Sequence, residues 1–343
     1  MSNFLIGLAS VLLGLLFLGW AYQTLASAQD RRKYPPPGKL LDIGGFRLHL
    51  YSTGSSPAGR PIVIMESGPG MPALFWSLIQ PEVAKFARVI TYDRAGLGWS
   101  EPGPVGVPRT SRQIVDELRA LLSRAGITGP YVLVGYSFGG HHVRLFANQY
   151  PDEVAGLVLL DASHEDQFQR FPKPYRDMGN QAVRFYSLLP TLARLGVLRL
   201  AINAFLFFKP PNWPRAIWPL FKMHFSDVGH WQGSYAEALG TLESEAQMRA
   251  IHLRLGDKPL MVLTELATWD NTASLPRGVT PGQMRAAWLA MQTEHTGIST
   301  NSTHIVAEKN FHGTFALDPQ QAPQAVDAIR QVVLACETKK SAS

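Results

Sequence analysis

Gly135-Tyr136-Ser137-Phe138-Gly139 constrains this chain more than any other stretch, because the apolar run Tyr131-Val132-Leu133-Val134 precedes it and the helix-compatible segment from Gly140 to Tyr150 follows it. A strand that passes into a helix through a serine with glycines two residues away on each side turns very tightly. The serine is then held in a strained backbone conformation, and a Cβ at 135 or 139 would collide with the neighbouring strand and helix. Such a turn presents the Ser137 Oγ at the carboxyl end of the strand. It also leaves the Phe138 amide free to bond a developing negative charge, which is the geometry of an exposed nucleophile. A glycine-serine loop that matches by chance is the alternative, and the strand–turn–helix context argues against it.

The flanking sequence continues the alternation. Leu40 to Ile43 and Arg47 to Tyr51 read as a hairpin around Gly44-Gly45, and Arg60 to Met65 and Arg88 to Tyr92 as buried strands. Ile114, Val115, Leu118, Leu121 and Leu122 recur at helical spacing between Thr110 and Ala125, with Thr110 and Gln113 as a capping box and Gly126 as the stop. Strands are expected at Val154 to Leu160, Pro259 to Thr264 and His304 to Ala307, and Val326, Ile329 and Val333 mark a closing helix. Strands alternating with helices, without an internal repeat, imply an α/β fold with a mainly parallel, doubly wound sheet covered on both faces. Residues 164–256 break the rhythm: they are rich in Phe, Leu, Trp and Pro, with Phe205-Leu206-Phe207-Phe208, Pro210-Pro211 and Trp213-Pro214, and hold helical patterns without a convincing strand. An insertion after the sixth strand lies over the carboxyl edge of the sheet, so a helical cap lining an apolar pocket is expected; a plain packing subdomain, or a membrane contact through 205–208, are the alternatives.

The first residues form a separate device. From Phe4 to Ala26 there is no charged side chain, and about 23 helical residues span roughly 35 Å, enough for a bilayer core of about 30 Å. Trp20 and Tyr22 fit an interface, and Arg31-Arg32-Lys33 lies beyond the apolar run. That asymmetry predicts an uncleaved single-pass anchor with the catalytic domain on the cytoplasmic side. Ala26-Ser27-Ala28 supplies the rival, a secretory signal cleaved near Ala28 with a secreted or periplasmic product. The expected organisation is an anchor at 1–30, a proline-rich linker at 31–38, a core at 39–163 and 257–338 around the cap at 164–256, and a tail at 339–343. A lone Cys336 excludes an internal disulfide framework. The net charge of +6 is scattered rather than patched, and no aromatic-plus-basic module accompanies it, so no nucleic-acid partner is expected.

Several motifs together resemble the α/β-hydrolase fold superfamily, over nearly everything from about Leu40 to Ala335: Gly135-Tyr136-Ser137-Phe138-Gly139-Gly140, Tyr92-Asp93-Arg94-Ala95-Gly96-Leu97-Gly98-Trp99-Ser100, Tyr150-Pro151-Asp152-Glu153-Val154 and Asn310-Phe311-His312-Gly313. The resemblance implies a serine nucleophile, Ser137, with a histidine base late in the chain, at His312, where Phe311 replaces a glycine that often precedes it. It implies an oxyanion hole from the backbone N–H groups of Phe138 and Gly68, although Glu66 in Glu66-Ser67-Gly68-Pro69-Gly70 stands where the superfamily usually has histidine. The acid is open among three residues. The usual place, after the strand ending at Thr264, offers Glu265 and Asp270 without the customary glycine-to-aspartate spacing; a minority of relatives place the acid at the end of the preceding strand, where this chain has Asp161, the first choice.

What the resemblance implies is a serine hydrolase of the esterase or lipase kind, acting through an acyl-enzyme on a hydrophobic or lipid-like small-molecule ester, attached to a membrane through its first helix. No cofactor is expected. No metal is expected either, since His141-His142 are adjacent rather than at i,i+4 and no zincin spacing occurs. A serine at the turn, where epoxide hydrolases and haloalkane dehalogenases of this superfamily carry an aspartate, argues against their chemistry. A proline-iminopeptidase-like aminopeptidase, which Ser67-Gly68-Pro69-Gly70 faintly suggests, and a ligand-binding protein without catalysis are the alternatives.

Overall fold

Six strands rich in Val, Leu and Ile lie side by side in parallel because their side chains alternate between two buried faces. The computed structural model describes residues 2–57, 60–104, 106–204 and 215–342. Among these, β1 (Lys39–Asp42), β2 (Arg47–Thr53), β3 (Ile62–Glu66), β4 (Val89–Tyr92), β5 (Tyr131–Tyr136), β6 (Val154–Leu160), β7 (Leu260–Glu265) and β8 (Ser302–Ala307) form one sheet in the order β1-β2-β4-β3-β5-β6-β7-β8. β1 and β2 pair antiparallel, as does β2 with β4, and every later pairing is parallel. The expected strands therefore all form, with ends shifted by at most two residues.

α1 (Ser2–Lys33) precedes the sheet; α2 (Gln80–Val83), α3 (Ser111–Arg124) and α4 (Gly139–Gln149) lie between the strands up to β6. Leu133, Leu157, Leu159 and Val262 face one way, onto Leu118, Leu121 and Phe146 of α3 and α4. Val132, Val134, Val158 and Leu263 face the other, onto Val326, Ile329 and Val333 of the closing helix. The Thr110–Gln113 capping box begins α3.

Between β6 and β7 the chain leaves the sheet as α5 (Gln167–Arg170), α6 (Lys173–Tyr186), α7 (Leu189–Arg194), α8 (Val197–Asn203), α9 (Trp218–Ser226), α10 (Val228–Leu239) and α11 (Thr241–Arg249). It contains no strand among its described residues, as a helical insertion requires; Phe205-Leu206-Phe207-Phe208, Pro210-Pro211 and Trp213-Pro214 lie outside the described residues. α12 (Pro281–Thr296), α13 (Thr314–Leu317) and α14 (Ala322–Ala342) complete the chain.

The first helix differs from the sequence expectation in two ways. It runs unbroken through Arg31-Arg32-Lys33, so the linker begins at Tyr34 rather than at 31. It is also long and apolar enough to cross a membrane, yet only its first half is free. Side chains 3–18 are exposed, whereas Gln23 and Ser27 are buried against the cap. Arg199 of α8 holds that contact: its Nε donates to Gln23 Oε1 at 2.9 Å, its Nη2 to Ser27 Oγ at 3.1 Å and its Nη1 to Asp30 Oδ2 at 2.5 Å. Gly19 and Gly196 let the backbones touch; a Cβ at Gly19 would lie 2.5 Å from the Leu195 carbonyl oxygen. The helix itself, rather than the proline-rich spacer, fixes where the body sits relative to the apolar segment.

Candidate active site

Ser137 closes β5 with φ 53°, a left-handed value rare for any residue with a side chain. The glycines around it have no room for more: a Cβ on Gly135 would lie 2.5 Å from Val143 Cγ2, and one on Gly139 2.5 Å from the Glu66 carbonyl oxygen. The Ser137 N–H donates to the Leu160 carbonyl at 3.1 Å, and its own carbonyl accepts from Gly140 and Ser163 at 2.9 Å. The turn is thereby anchored to β6 and its Oγ faces outward.

His312, between β8 and α13, has Nε2 3.1 Å from the Ser137 Oγ. Its Nδ1 lies 2.5 Å from Asp161 Oδ2. Asp161 follows the last residue of β6 and is also left-handed, at φ 43°. Its other oxygen accepts from the Glu265 N–H at 2.9 Å and the Trp288 Nε1–H at 2.8 Å, so the carboxylate is fixed on three sides. With Nδ1–H donated to Asp161, Nε2 is left as the acceptor facing the serine. Desolvation works against protonation of His312, but the hydrogen bond and charge of Asp161, with the charge of Glu265, outweigh it and raise the pKa above the ordinary imidazole value.

Among the described hydrogen bonds, neither of the other two candidate acids meets His312 Nδ1. Asp270 is half-exposed and forms an ion pair with Arg285, at 3.0 Å. Glu265 is buried and grips the loop that carries the histidine: Oε2 accepts from the Gly313 N–H at 2.8 Å, and Oε1 from the Thr314 hydroxyl at 2.8 Å and the Phe315 N–H at 3.1 Å. Burial, with the nearby Asp161 charge, pushes its pKa up to about 8. Asp161, Glu265 and His312 bring ligand-type atoms within 4.8 Å of one another. These atoms already face donors or each other, so the cluster is built for hydrogen bonding rather than for an open metal site.

Gly68 lies against the nucleophile: a Cβ there would sit 3.2 Å from the Ser137 Cβ and 3.3 Å from the Tyr136 ring. Among the described hydrogen bonds neither the Gly68 nor the Phe138 N–H has a protein acceptor. The loop holding Gly68 rests on Arg94, whose role the sequence left unread although the motif around it was plain. Arg94 Nη1 donates to Glu66 Oε1 at 2.6 Å and to the Ser67 carbonyl at 2.9 Å, and Nη2 to the Gly68 carbonyl at 2.7 Å. Its Nε reaches Glu237 Oε1 of α10, in the cap, at 2.6 Å. Glu66 also accepts from the Tyr92 hydroxyl and faces His142 Nδ1 at 3.2 Å. The residue that replaces the expected histidine is thus a buried counter-ion. Desolvation raises its pKa, but Arg94 foremost, then His142 and Tyr92, bring it below the usual carboxylate value.

Residues 60–201 match the α/β hydrolase fold family model. The chain has the α/β hydrolase fold. A protein of Hormonema carpetanum named as a transporter is 33% identical over 136 residues, 39% of this chain and 20% of that protein. The 2-hydroxymuconate semialdehyde hydrolase of a Pseudomonas species is 35% identical over 131 residues, 38% of this chain and 44% of that enzyme. The first three curated relatives are spanned over only 20%, 28% and 49% of their own length. The solved esterase of Thermogutta terrifontis superposes with a TM-score of 0.56 at 24% identity, covering 86% of this chain and 98% of the esterase, a likeness of fold. A cleft of about 590 Å³ in this α/β-hydrolase fold lies between α1 and the cap, lined by Trp20, Arg31, Arg194 and His224, and none of Ser137, His312 and Asp161 borders it.

Proposed function

We propose that the chain is a serine hydrolase that cleaves an ester, or a related acyl bond, of a hydrophobic small molecule. The observation that carries this is the continuous relay from Ser137 Oγ to His312 Nε2 at 3.1 Å and from His312 Nδ1 to Asp161 at 2.5 Å. A serine hydroxyl is a weak nucleophile until a base takes its proton. His312 is within reach as that base, and Asp161 fixes its tautomer and stabilises the imidazolium that forms. Attack on the carbonyl carbon places negative charge on the carbonyl oxygen, which the Phe138 and Gly68 N–H groups are positioned to bind. His312 then returns its proton to the leaving alkoxide. Water, deprotonated by the same imidazole, attacks the acyl-enzyme and frees the acid and Ser137. The relatives named as hydrolases support hydrolysis as the reaction class, without naming the bond.

The first helix is the membrane anchor in this reading. Cleavage near Ala28 would strip Gln23 and Ser27 from Arg199, and the continuous helix through that site favours retention.

The test is labelling with a fluorophosphonate, followed by turnover of p-nitrophenyl esters of increasing chain length beside amino-acyl arylamides. Labelling lost in Ser137→Ala, with esters preferred, supports the proposal. Preference for arylamides would assign an aminopeptidase, and a folded protein that neither labels nor turns over would be a binding protein.

A further inference from the structure

The apolar surface of the molecule is not spread evenly. Outside α1, four large exposed apolar side chains fall within one short stretch of the cap: Phe185 at the end of α6, Leu188 just before α7, and Val197 and Leu200 on α8 are 56%, 55%, 44% and 58% exposed. α6 is amphipathic; Tyr175 packs on Trp269 and Tyr186 on Trp231, but Met178 and Phe185 stay 42% and 56% exposed. A soluble helix with this pattern normally buries its apolar face. Large apolar groups that stay exposed together mark a binding surface.

α1 fixes what lies against that stretch. The docked part of the helix ends at Gly19, which meets the Leu195 carbonyl at the close of α7, and beyond it side chains 3–18 are exposed. At about 1.5 Å per residue those residues reach roughly 24 Å, most of a bilayer core of about 30 Å. Trp20, 47% exposed, stands at the start of the docked part, as an aromatic residue at a membrane surface does. A helix α1 that crosses a bilayer would set Leu195–Gly196 level with its surface. Leu188 lies one six-residue helix before that level, and Val197 and Leu200 follow it directly. Arg184 and Arg194, both exposed, flank the stretch and suit anionic headgroups.

We propose that this stretch, from the end of α6 through α7 to the start of α8, lies in the headgroup layer of the bilayer that α1 crosses, with Phe185, Leu188, Val197 and Leu200 in contact with acyl chains. The cap then faces the membrane, and its substrates are esters dissolved in that leaflet, which reach the cap without passing through water. The substrate half rests on the esterase reading above, and the membrane contact on the anchor reading.

The experiment uses the full chain with Cys336→Ser, reconstituted in vesicles of phosphatidylcholine and phosphatidylglycerol, with an environment-sensitive NBD label at Leu188→Cys or Leu200→Cys. The control is Ser123→Cys, exposed near the end of α3 at the opposite edge of the sheet. Blue-shifted emission at 188 and 200, quenched by lipids spin-labelled near the headgroup, with water-like emission at 123, is expected. Water-like, unquenched emission at 188 and 200 would overturn the contact whatever the enzyme does. The second arm compares Leu188→Glu/Leu200→Glu with the parent on p-nitrophenyl palmitate in the vesicles and p-nitrophenyl acetate in solution. The ratio of long-chain to short-chain turnover should fall about tenfold, and an unchanged ratio would overturn delivery from the leaflet.

Discussion

Glu237, on cap helix α10, and Arg94, in the loop after β4, share two hydrogen bonds of 2.6 and 3.0 Å inside the protein. The same carboxylate accepts from the Gly70 N–H at 2.9 Å, and the same guanidinium holds the carbonyls of Ser67 and Gly68. The cap is thereby wired to the loop that offers an N–H beside Ser137. Because both charges are buried, removing one leaves its partner uncompensated.

Glu237→Ala is expected to cost about 3–5 kcal/mol of stability. Glu237→Gln, which keeps the volume and a carbonyl acceptor, should cost less but still lower turnover about tenfold or more, through a displaced Gly68. Thermal melting and kcat measured together check this; unchanged kcat in Glu237→Gln would separate the cap from the oxyanion loop.

Ser137→Ala and His312→Ala should each abolish nearly all turnover, and the double variant should be little worse, because the residues act as one unit. Asp161→Asn should lower kcat by about 10³ to 10⁴ by presenting the wrong imidazole tautomer. Asp270→Asn, which only loosens the exposed pair with Arg285, should stay near the parent. A large loss in Asp270→Asn beside a nearly normal Asp161→Asn would reverse the assignment of the acid.

His312 must be neutral to accept the serine proton. Its pKa is raised above the ordinary 6.5, so the acid limb of the kcat/KM profile should lie above that value, with activity lost as the pH falls through it. In Asp161→Asn the residual activity should show a limb at lower pH. Profiles of both proteins, recorded across neutrality, decide the point.

Glu265 ionises near 4.5 when unfolded and at about 8 when folded. Between those values the folded chain holds a proton that the unfolded chain has lost. Its contribution to stability is therefore full below the lower value and declines as the pH rises toward the upper. Melting temperature should fall over this window more in the parent than in Glu265→Gln, and parallel curves would show that Glu265 is ionised throughout.

With α1 as an anchor, the chain should sediment with membranes and resist carbonate extraction, with the domain after α1 protected from protease added outside intact cells. Arg199→Ala should leave the membrane association but expose the segment after Lys33 to proteolysis, because the helix loses its grip on the cap. A soluble mature form beginning at Gln29 would instead identify a cleaved signal.

The parts legible in the sequence are those set by neighbours along the chain. The turn at Ser137 follows from two glycines and a strand, the start of α3 from Thr110 and Gln113, and the sheet from the alternation of apolar residues. The acid could not be resolved in that way. Asp161 and Glu265 both end strands beside each other, and only side-chain direction separates a carboxylate facing an imidazole from one gripping three groups of the next loop. Nor did Gln23, Ser27 and Asp30 stand out, since polar residues near a helix end are ordinary until Arg199, far along the chain, is seen to collect them. Glu66 was visible as a departure, but its meaning required Arg94 and Tyr92 brought in by the fold.

The left-handed backbone at Ser137 and Asp161 has an evolutionary reading. Glycine would adopt φ 53° at 137 with less strain than serine does, so Ser137→Gly is expected to melt no lower than the parent. Selection for heat resistance alone would therefore favour glycine at 137. A side chain kept at such a position runs against the preference of its own main chain, as a nucleophile placed there would require.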